Sequence, residues 1–272
     1  MTKRIIIAKK DLIDLYYGQK LSNYKIGKLY NCSFATVKNR MNEYGLKPLP
    51  RTVIQNRYPK KDFNGSLVEK AYMIGFRLGD FNVYQTSIHS KVIVVRCHTT
   101  CLDQVELMEG LFSKYGKVTV SRRRKSYHIN CFLNYSFNFL LPKPNKVEEW
   151  IGENKKQAFS FAAGYVDAEA NIGVYDGRAR FKVDSYDQGV ICWLYELFKK
   201  YSIECPAPSL IGKKGQIYDK EKKYKYNKDL YRVRVSSKVS LEKLLYLLKP
   251  YIKHKKRLAD LEKCLINIHE RN

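Results

Sequence analysis

The sequence predicts an α+β protein: two pseudo-symmetric αββαββα repeats, each with a sheet that turns a basic face outward, preceded by a small all-α helix-turn-helix domain. Three observations predict it. A short pattern occurs twice, as Gly75-Phe76-Arg77-Leu78-Gly79-Asp80 and as Gly164-Tyr165-Val166-Asp167-Ala168-Glu169, and the offset between the copies is 89 residues at both the first glycine and the final acid. Repetition at this scale points to two similar domains facing each other. After each copy, apolar residues alternate with polar or basic ones, the pattern of half-buried strands. Ahead of both, residues 1–48 carry three short helical periods broken by turn residues.

In residues 1–48, Lys10 to Tyr17 reads as a first helix ending near Gly18. Ser22 can cap a second helix with Ile26 and Tyr30 on one face, and Asn31-Cys32 makes a tight turn. Ser33 can cap a third helix that turns Val37, Met41 and Tyr44 inward and stops at Gly45. Small Gly27 at the crossing and the run from Ser33 to Val37 are similar to helix-turn-helix forms. The expected outward residues, Ser33, Ala35, Thr36, Lys38, Asn39 and Arg40, are small or polar, as a helix in the major groove needs. A three-helix packing or dimerisation module fits the same pattern.

Residues 49–65 read as a linker, with Pro50 and Pro59 among Arg51, Arg57, Lys60 and Lys61. Prolines keep such a segment extended, and its charge either tracks phosphates or is simply solvated.

The repeats are expected at 66–150 and 151–272. Ser66-Leu67-Val68-Glu69 forms a capping box for the first motif helix, and Asn154 with Gln157 approximates one for the second. Gly75 with Gly79, and Gly164 with Ala168, put small residues at i, i+4 on one helix face, where two backbones can approach closely. Helices packed on those faces would bring Asp80 and Glu169 together at their ends, as a hard-oxygen metal site. An acid at a helix C-terminus is electrostatically unfavourable, and the same placement in both copies calls for a cation. Two core helices that merely end in acids are the plainer alternative. Strand alternation places Lys117, Thr119, Ser121, the turn Arg122-Arg123-Arg124-Lys125, His128 and Asn130 on the first sheet. It places Arg178, Arg180, Lys182, Arg232 and Arg234 on the second. Such faces suit nucleic acid.

Composition agrees. The formal charge is +25 over 272 residues, with 22 tyrosines interspersed among the basic residues, which suggests a polyanionic partner. Ile5-Ile6-Ile7-Ala8 is too short for a signal or spanning segment. Seven cysteines, an odd number, read as reduced thiols in a cytosolic compartment. Cys97, His98 and Cys101 with His128 and Cys131 suggest zinc only weakly, because strand alternation sends neighbouring residues to opposite faces.

The segments Ala71 to Asp80 and Phe161 to Glu169 resemble the two signature helices of single-chain LAGLIDADG homing endonucleases, and Leu248-Lys249-Pro250-Tyr251-Ile252-Lys253-His254-Lys255-Lys256-Arg257 is similar to that family's C-terminal helix region. The resemblance spans residues 66–272. It implies a β-saddle on double-stranded DNA and a monomer that makes a staggered break in a long, asymmetric target. It implies that Asp80 and Glu169 hold Mg²⁺, with the Gly79 and Ala168 carbonyls as further ligands. Mn²⁺ would substitute, and Ca²⁺ would support binding without cleavage. Lys238 is the nearest match to a lysine that assists the chemistry, and the first repeat offers Asn134 there. Leu78 stands where the signature has an earlier acid, and Phe81 and Ala170 replace its closing glycine. A helix-turn-helix lies outside the family's minimal core and would lengthen the footprint. The expected location is with the DNA of a prokaryote, phage or organelle, not outside the cell. A regulator that binds without cutting, and an intron maturase on the same saddle, are the alternatives.

Overall fold

The computed structural model describes residues 5–49, 58–219 and 221–271, and the chain divides into two units, Met1–Pro59 and Lys60–Asn272. In the first unit, α1 (Lys9–Ile13) runs into a π-helical turn over Asp14–Gly18, so only the first part of the expected helix is regular α-helix. Helices α2 (Asn23–Leu29) and α3 (Phe34–Glu43) follow. Ser22 Oγ accepts the Lys25 N–H at 3.3 Å and Ser33 Oγ accepts the Thr36 N–H at 3.2 Å, which are the caps read from sequence. Ile7, Leu12, Tyr16, Ile26, Val37 and Met41 form the core. A Cβ on Gly27, within α2, would stand 2.6 Å from the Cys32 carbonyl oxygen, so only glycine lets the turn into α3 pass this close to the helix.

Residues 50–57 of the expected linker, with Pro50, Arg51 and Arg57, lie outside the described residues. The last six, 60–65, are not a spacer: they belong to the second unit. Lys61 N–H donates to the Tyr115 carbonyl at 2.8 Å, and Phe63 N–H to Ser136 Oγ at 2.8 Å. The Phe63 ring packs with Tyr115, Phe137 and Phe139. Burying an aromatic ring outweighs the extended preference that the prolines suggest.

The second unit opens with α4 (Leu67–Gly79), then β1 (Asn82–Gln85), β2 (Val92–Thr99), α5 (Leu102–Phe112), β3 (Lys117–Arg123) and β4 (Ser126–Asn134). A 3₁₀ segment, Tyr135–Leu140, and α6 (Glu149–Glu153) close this half. The second half has α7 (Lys155–Glu169), β5 (Ala170–Tyr175), β6 (Arg178–Ser185), α8 (Gln188–Lys200) and β7 (Ser209–Gly212). It continues with a small hairpin, β8 (Ile217–Asp219) and β9 (Tyr224–Lys225), then β10 (Leu230–Val235), α9 (Lys238–Leu248) and α10 (Lys255–Glu270). The two four-stranded sheets have equivalent orders, β1-β2-β4-β3 and β5-β6-β10-β7, and are antiparallel throughout. Asp176-Gly177, both at positive φ, make the tight turn between β5 and β6. The halves differ at their ends: the expected closing helix of the first is the 3₁₀ segment, and the second adds the β8–β9 hairpin.

Each capping box is only half formed. Ser66 Oγ accepts the Glu69 N–H at 3.2 Å, but Glu69 pairs with Lys114 at 2.9 Å instead of returning to Ser66. Asn154 Oδ1 accepts from Lys156 N–H rather than from residue 157.

Helices α4 and α7 cross on their small faces. A Cβ on Gly75 would stand 2.1 Å from the Phe161 carbonyl oxygen, and one on Gly164 would stand 2.1 Å from that of Tyr72. Backbone meets backbone, so neither helix can yield by turning a side chain. Two hydrogen bonds fasten the pair: Ser160 Oγ donates to the Val68 carbonyl at 2.7 Å, and the Tyr72 hydroxyl to Asp167 Oδ2 at 2.6 Å. Gly75→Ala and Gly164→Ala are therefore expected to cost about 1–3 kcal/mol or more in urea unfolding. Gly110, also helical but with nothing within 4 Å of its added Cβ, is the control. Gly110→Ala should gain about 0.5–1 kcal/mol.

Candidate functional site

The same close crossing brings the motif acids to one place. Asp80 caps the C-terminus of α4 and Glu169 is the last residue of α7, each where its helix passes into the first strand of its sheet. A Cβ on Gly79 would fall 2.4 Å from Ala168 Cβ and 3.0 Å from Glu169 Cγ, so the bare glycine is what lets Glu169 lie over the end of α4. Asp80 is exposed to solvent. Gln104 Nε2, itself buried, donates to Asp80 Oδ2 at 3.0 Å.

Electrostatics mark the pair as short of positive charge. Burial pushes the Asp80 carboxyl up, against the Gln104 hydrogen bond and the charges of Arg257 and Lys143. Burial first, then the Asp80 and Asp187 charges, push Glu169 up to about 7, with Lys143 and Arg257 opposing. Two partly desolvated acids that repel each other are what a bound divalent cation relieves. Among the described residues no three His, Cys, Asp or Glu groups gather as a metal site. A cation here would need oxygen ligands beyond the two carboxylates. The zinc arrangement is absent for the expected reason: Cys97 and Cys131 face the core, while His98 and His128 pair on the opposite face, ring centroids 4.2 Å apart.

Lys143 and Arg257 were not among the sequence candidates. Lys143 comes directly after Leu140-Leu141-Pro142, whereas Arg257 comes seven residues after Leu247-Leu248-Lys249-Pro250, so no common spacing marks the two. Lys143 also stands 3.9 Å from Asp187. Lys238 instead begins α9 and sends Nζ to the Arg271 carbonyl at 3.4 Å. It borders a hollow of about 580 Å³ with Asn171, Tyr175, Arg178 and Arg234, and its charge is not among those acting on the acids. Asn134, its expected counterpart, is occupied: it donates to Asp62 Oδ1 at 2.6 Å and caps the 3₁₀ segment through the Ser136 N–H.

On the first sheet, the pairings Lys117↔Phe132, Thr119↔Asn130, Ser121↔His128 and Arg123↔Ser126 put Lys117, Thr119, Ser121, Arg123, His128 and Asn130 on one face. Arg122 pairs with Tyr127 and shares the other face with Val118 and Val120. Its guanidinium lies 5.9 Å from the Tyr127 ring centre, so strand parity removes it from the expected set. Arg124 holds the turn at φ 53°. On the second sheet, Arg178, Arg180, Lys182, Arg232 and Arg234 share the face opposite the core. Their charge is partly spent. Arg232 binds Asp184 through two hydrogen bonds of 2.6 and 2.7 Å, and Arg180 pairs with Asp176 at 2.9 Å. Burial raises the Asp184 carboxyl, but the Arg232 contacts and Lys182 outweigh it and hold the group below the usual range.

In the first unit, Ser33, Ala35, Lys38 and Asn39 are exposed, and the Thr36 hydroxyl lies 3.0 Å from that of Ser33. Arg40 corrects the expectation. It is 8% exposed, donates to the Ile5 carbonyl through Nε at 3.1 Å and Nη2 at 3.0 Å, and pairs with Glu43. It braces the domain and faces inward.

No family model and no curated protein sequence matches this chain. Solved structures do. Mesophilic variants of the homing endonuclease I-DmoI superpose with a TM-score of 0.50 at 12% identity, covering 72% of this chain and 97% of theirs. I-DmoI in complex with DNA and Ca gives 0.49 at 12% identity over 72% and 97%. The homing endonuclease I-WcaI bound to its DNA recognition sequence gives 0.49 at 15% over 80% and 97%. The chain has the homing-endonuclease fold, two antiparallel sheets on a central helix pair. At these identities the likeness is one of fold alone.

The different burial of neighbouring α3 residues gives a direct check. Arg40→Ala is expected to lower the thermal stability of the first unit, because it leaves the Ile5 carbonyl without its buried donor, a loss of about 1–3 kcal/mol. Lys38→Ala and Asn39→Ala should leave it unchanged. Limited proteolysis of the full-length chain across a temperature series reads both.

Proposed function

We propose that the chain is a site-specific DNA endonuclease that makes a staggered double-strand break in a long, asymmetric target by metal-dependent phosphodiester hydrolysis. The observation that supports this reading is the meeting of Asp80 and Glu169 at the ends of two crossing helices, each at the threshold of a sheet with a basic face. The residues fit a hard divalent cation: two carboxylates whose charge is offset only in part, with the Gly79 and Ala168 carbonyls and DNA phosphate oxygens as further ligands. Mg²⁺ is the proposed ion, with Mn²⁺ able to replace it. Such an ion, when bound, lowers the pKa of a water and stabilises the leaving 3′ oxygen.

The chain's own groups do the rest. Gln104 orients the Asp80 carboxylate. Lys143 and Arg257, rather than Lys238, take the part of the cations beside the scissile phosphates. Lys117, Arg123, Arg178, Lys182 and Arg234 draw the DNA backbone onto the sheets, a salt-dependent attraction. Arg232, fixed by Asp184, offers a set geometry in place of a mobile charge. Unequal repeats imply an asymmetric target bound by a monomer. No helix among the described residues is long and apolar enough to cross a membrane. The first unit is proposed as a helix-turn-helix that reads bases through Thr36, Lys38 and Asn39 at one end of the site.

Asp80→Asn and Glu169→Gln are expected each to abolish double-strand cleavage in Mg²⁺ while leaving specific binding in Ca²⁺ within a few-fold of the parent. Cleavage assays on a target selected from a randomised DNA library by the unaltered protein, with binding followed by fluorescence anisotropy, check this. Binding that falls as heavily as cleavage would make the acids structural, and selection of DNA that is never cut would favour a regulator.

Deleting residues 1–48 should shorten the protected footprint at one end only and relax sequence preference there, by about 1–3 kcal/mol for each base that the module reads. Cleavage at saturating protein should persist. Footprinting both proteins on the same DNA measures it, and an unchanged footprint would assign the module to protein contacts.

A further inference from the structure

Asp167 is a buried acid in the second motif, at the place where the first motif has Leu78. Its Oδ2 accepts three hydrogen bonds: from the Tyr72 hydroxyl at 2.6 Å and from the backbone N–H groups of Lys253 and His254 at 2.8 and 3.1 Å. His254 is the N-cap residue of α10 and makes no side-chain cap of its own, so Asp167 supplies the cap from another helix. Arg257 lies in the first turn of that helix. The other half has a device of opposite sign. Arg77, also buried, donates through Nε to the Leu140 carbonyl at 2.9 Å and through Nη1 to the Phe81 carbonyl at 2.5 Å. Three residues beyond Leu140 is Lys143.

A side chain of each central helix thus grips the backbone of a segment that carries one of the two cations whose charge acts on the acid pair. In the first half the grip is a cation on carbonyl oxygens, and in the second an anion on N–H groups. We infer that Asp167 and Arg77 are positioning residues, which hold Arg257 and Lys143 respectively against the Asp80–Glu169 pair. This inference rests on the endonuclease reading for its consequence in cleavage, but its geometry is independent of it. Leu78 fits the same account. Where Arg77 does the gripping, the neighbouring place has no work for an acid and is filled by a buried apolar side chain.

The test has two arms. Without DNA, the Nε–Hε resonance of Arg257, assigned by its disappearance in Arg257→Lys, is followed by NMR. In the unaltered protein, Glu169→Gln should shift it. In an Asp167→Asn background, whose side chain keeps the volume but weakens the cap, that response should vanish or fall several-fold while the protein remains folded. An undiminished response overturns the inference. With the selected DNA target, single-turnover cleavage is measured for Asp167→Asn, Arg257→Met and the double variant. If Asp167 acts through Arg257, the double variant cuts no more slowly than Arg257→Met alone. Fold-losses that multiply would make Asp167 an independent structural residue and sink the proposal. Arg77→Gln with Lys143→Met gives the matching cycle. A protein that cuts no DNA removes the endonuclease reading but leaves the NMR arm to decide the positioning on its own.

Discussion

Two carbonyl oxygens set the terms for this molecule. Phe161 and Tyr72 present theirs to the bare Cα positions of Gly75 and Gly164, at a separation that leaves no room for even one methyl group. Because backbone faces backbone, the angle and register of α4 against α7 are tightly fixed. Everything that matters downstream inherits that precision. Gly79 can accept Glu169 over its face, Tyr72 can reach Asp167, and each sheet starts from a helix end whose place is already decided. A looser pair would still bury its apolar residues, but would not hold two acids at one point.

Bringing those acids together has an electrostatic cost that the fold offsets only in part. The charges of Lys143 and Arg257, on two different segments, oppose the effect, yet Glu169 remains pushed up to about 7 by burial and by Asp80 and Asp187. The site is held in a strained charge state by packing that was settled elsewhere. Sites that bind cations are commonly of this kind: local charge balance is given up, and the rest of the structure carries the difference.

How much of this could be read from the sequence depended on whether the deciding contact was local. The glycine spacing, the serine caps at Ser22, Ser33 and Ser66, and the alternation of Arg178, Arg180 and Lys182 with Ala179, Phe181 and Val183 are all periodic signals, and the structure has the corresponding helices and strands. Arg40 misled because it stands three residues after Val37, on the buried stripe, and its partner Ile5 is 35 residues away. Arg122 misled because a run of arginines conceals strand parity. Phe63 docks into aromatic rings more than fifty positions later, which no linker composition reveals. Lys143 and Arg257 come to the acids by way of segments whose path is set by buried hydrogen bonds, and those bonds leave no period to read.

The central contact joins residues that are made far apart in time. Synthesis at roughly 5–20 residues per second puts about 4–18 s between the emergence of Gly75 and that of Gly164, 89 residues later. Until then the face of α4 around Tyr72, Gly75 and Phe76 has no partner. A nascent first half thus carries one sticky side, and a second chain on the same message presents an identical side. The covalent link between the halves answers that hazard by keeping the correct partner at a high local concentration as soon as it appears. In a fused pair, chain order therefore decides which neighbour each helix meets first.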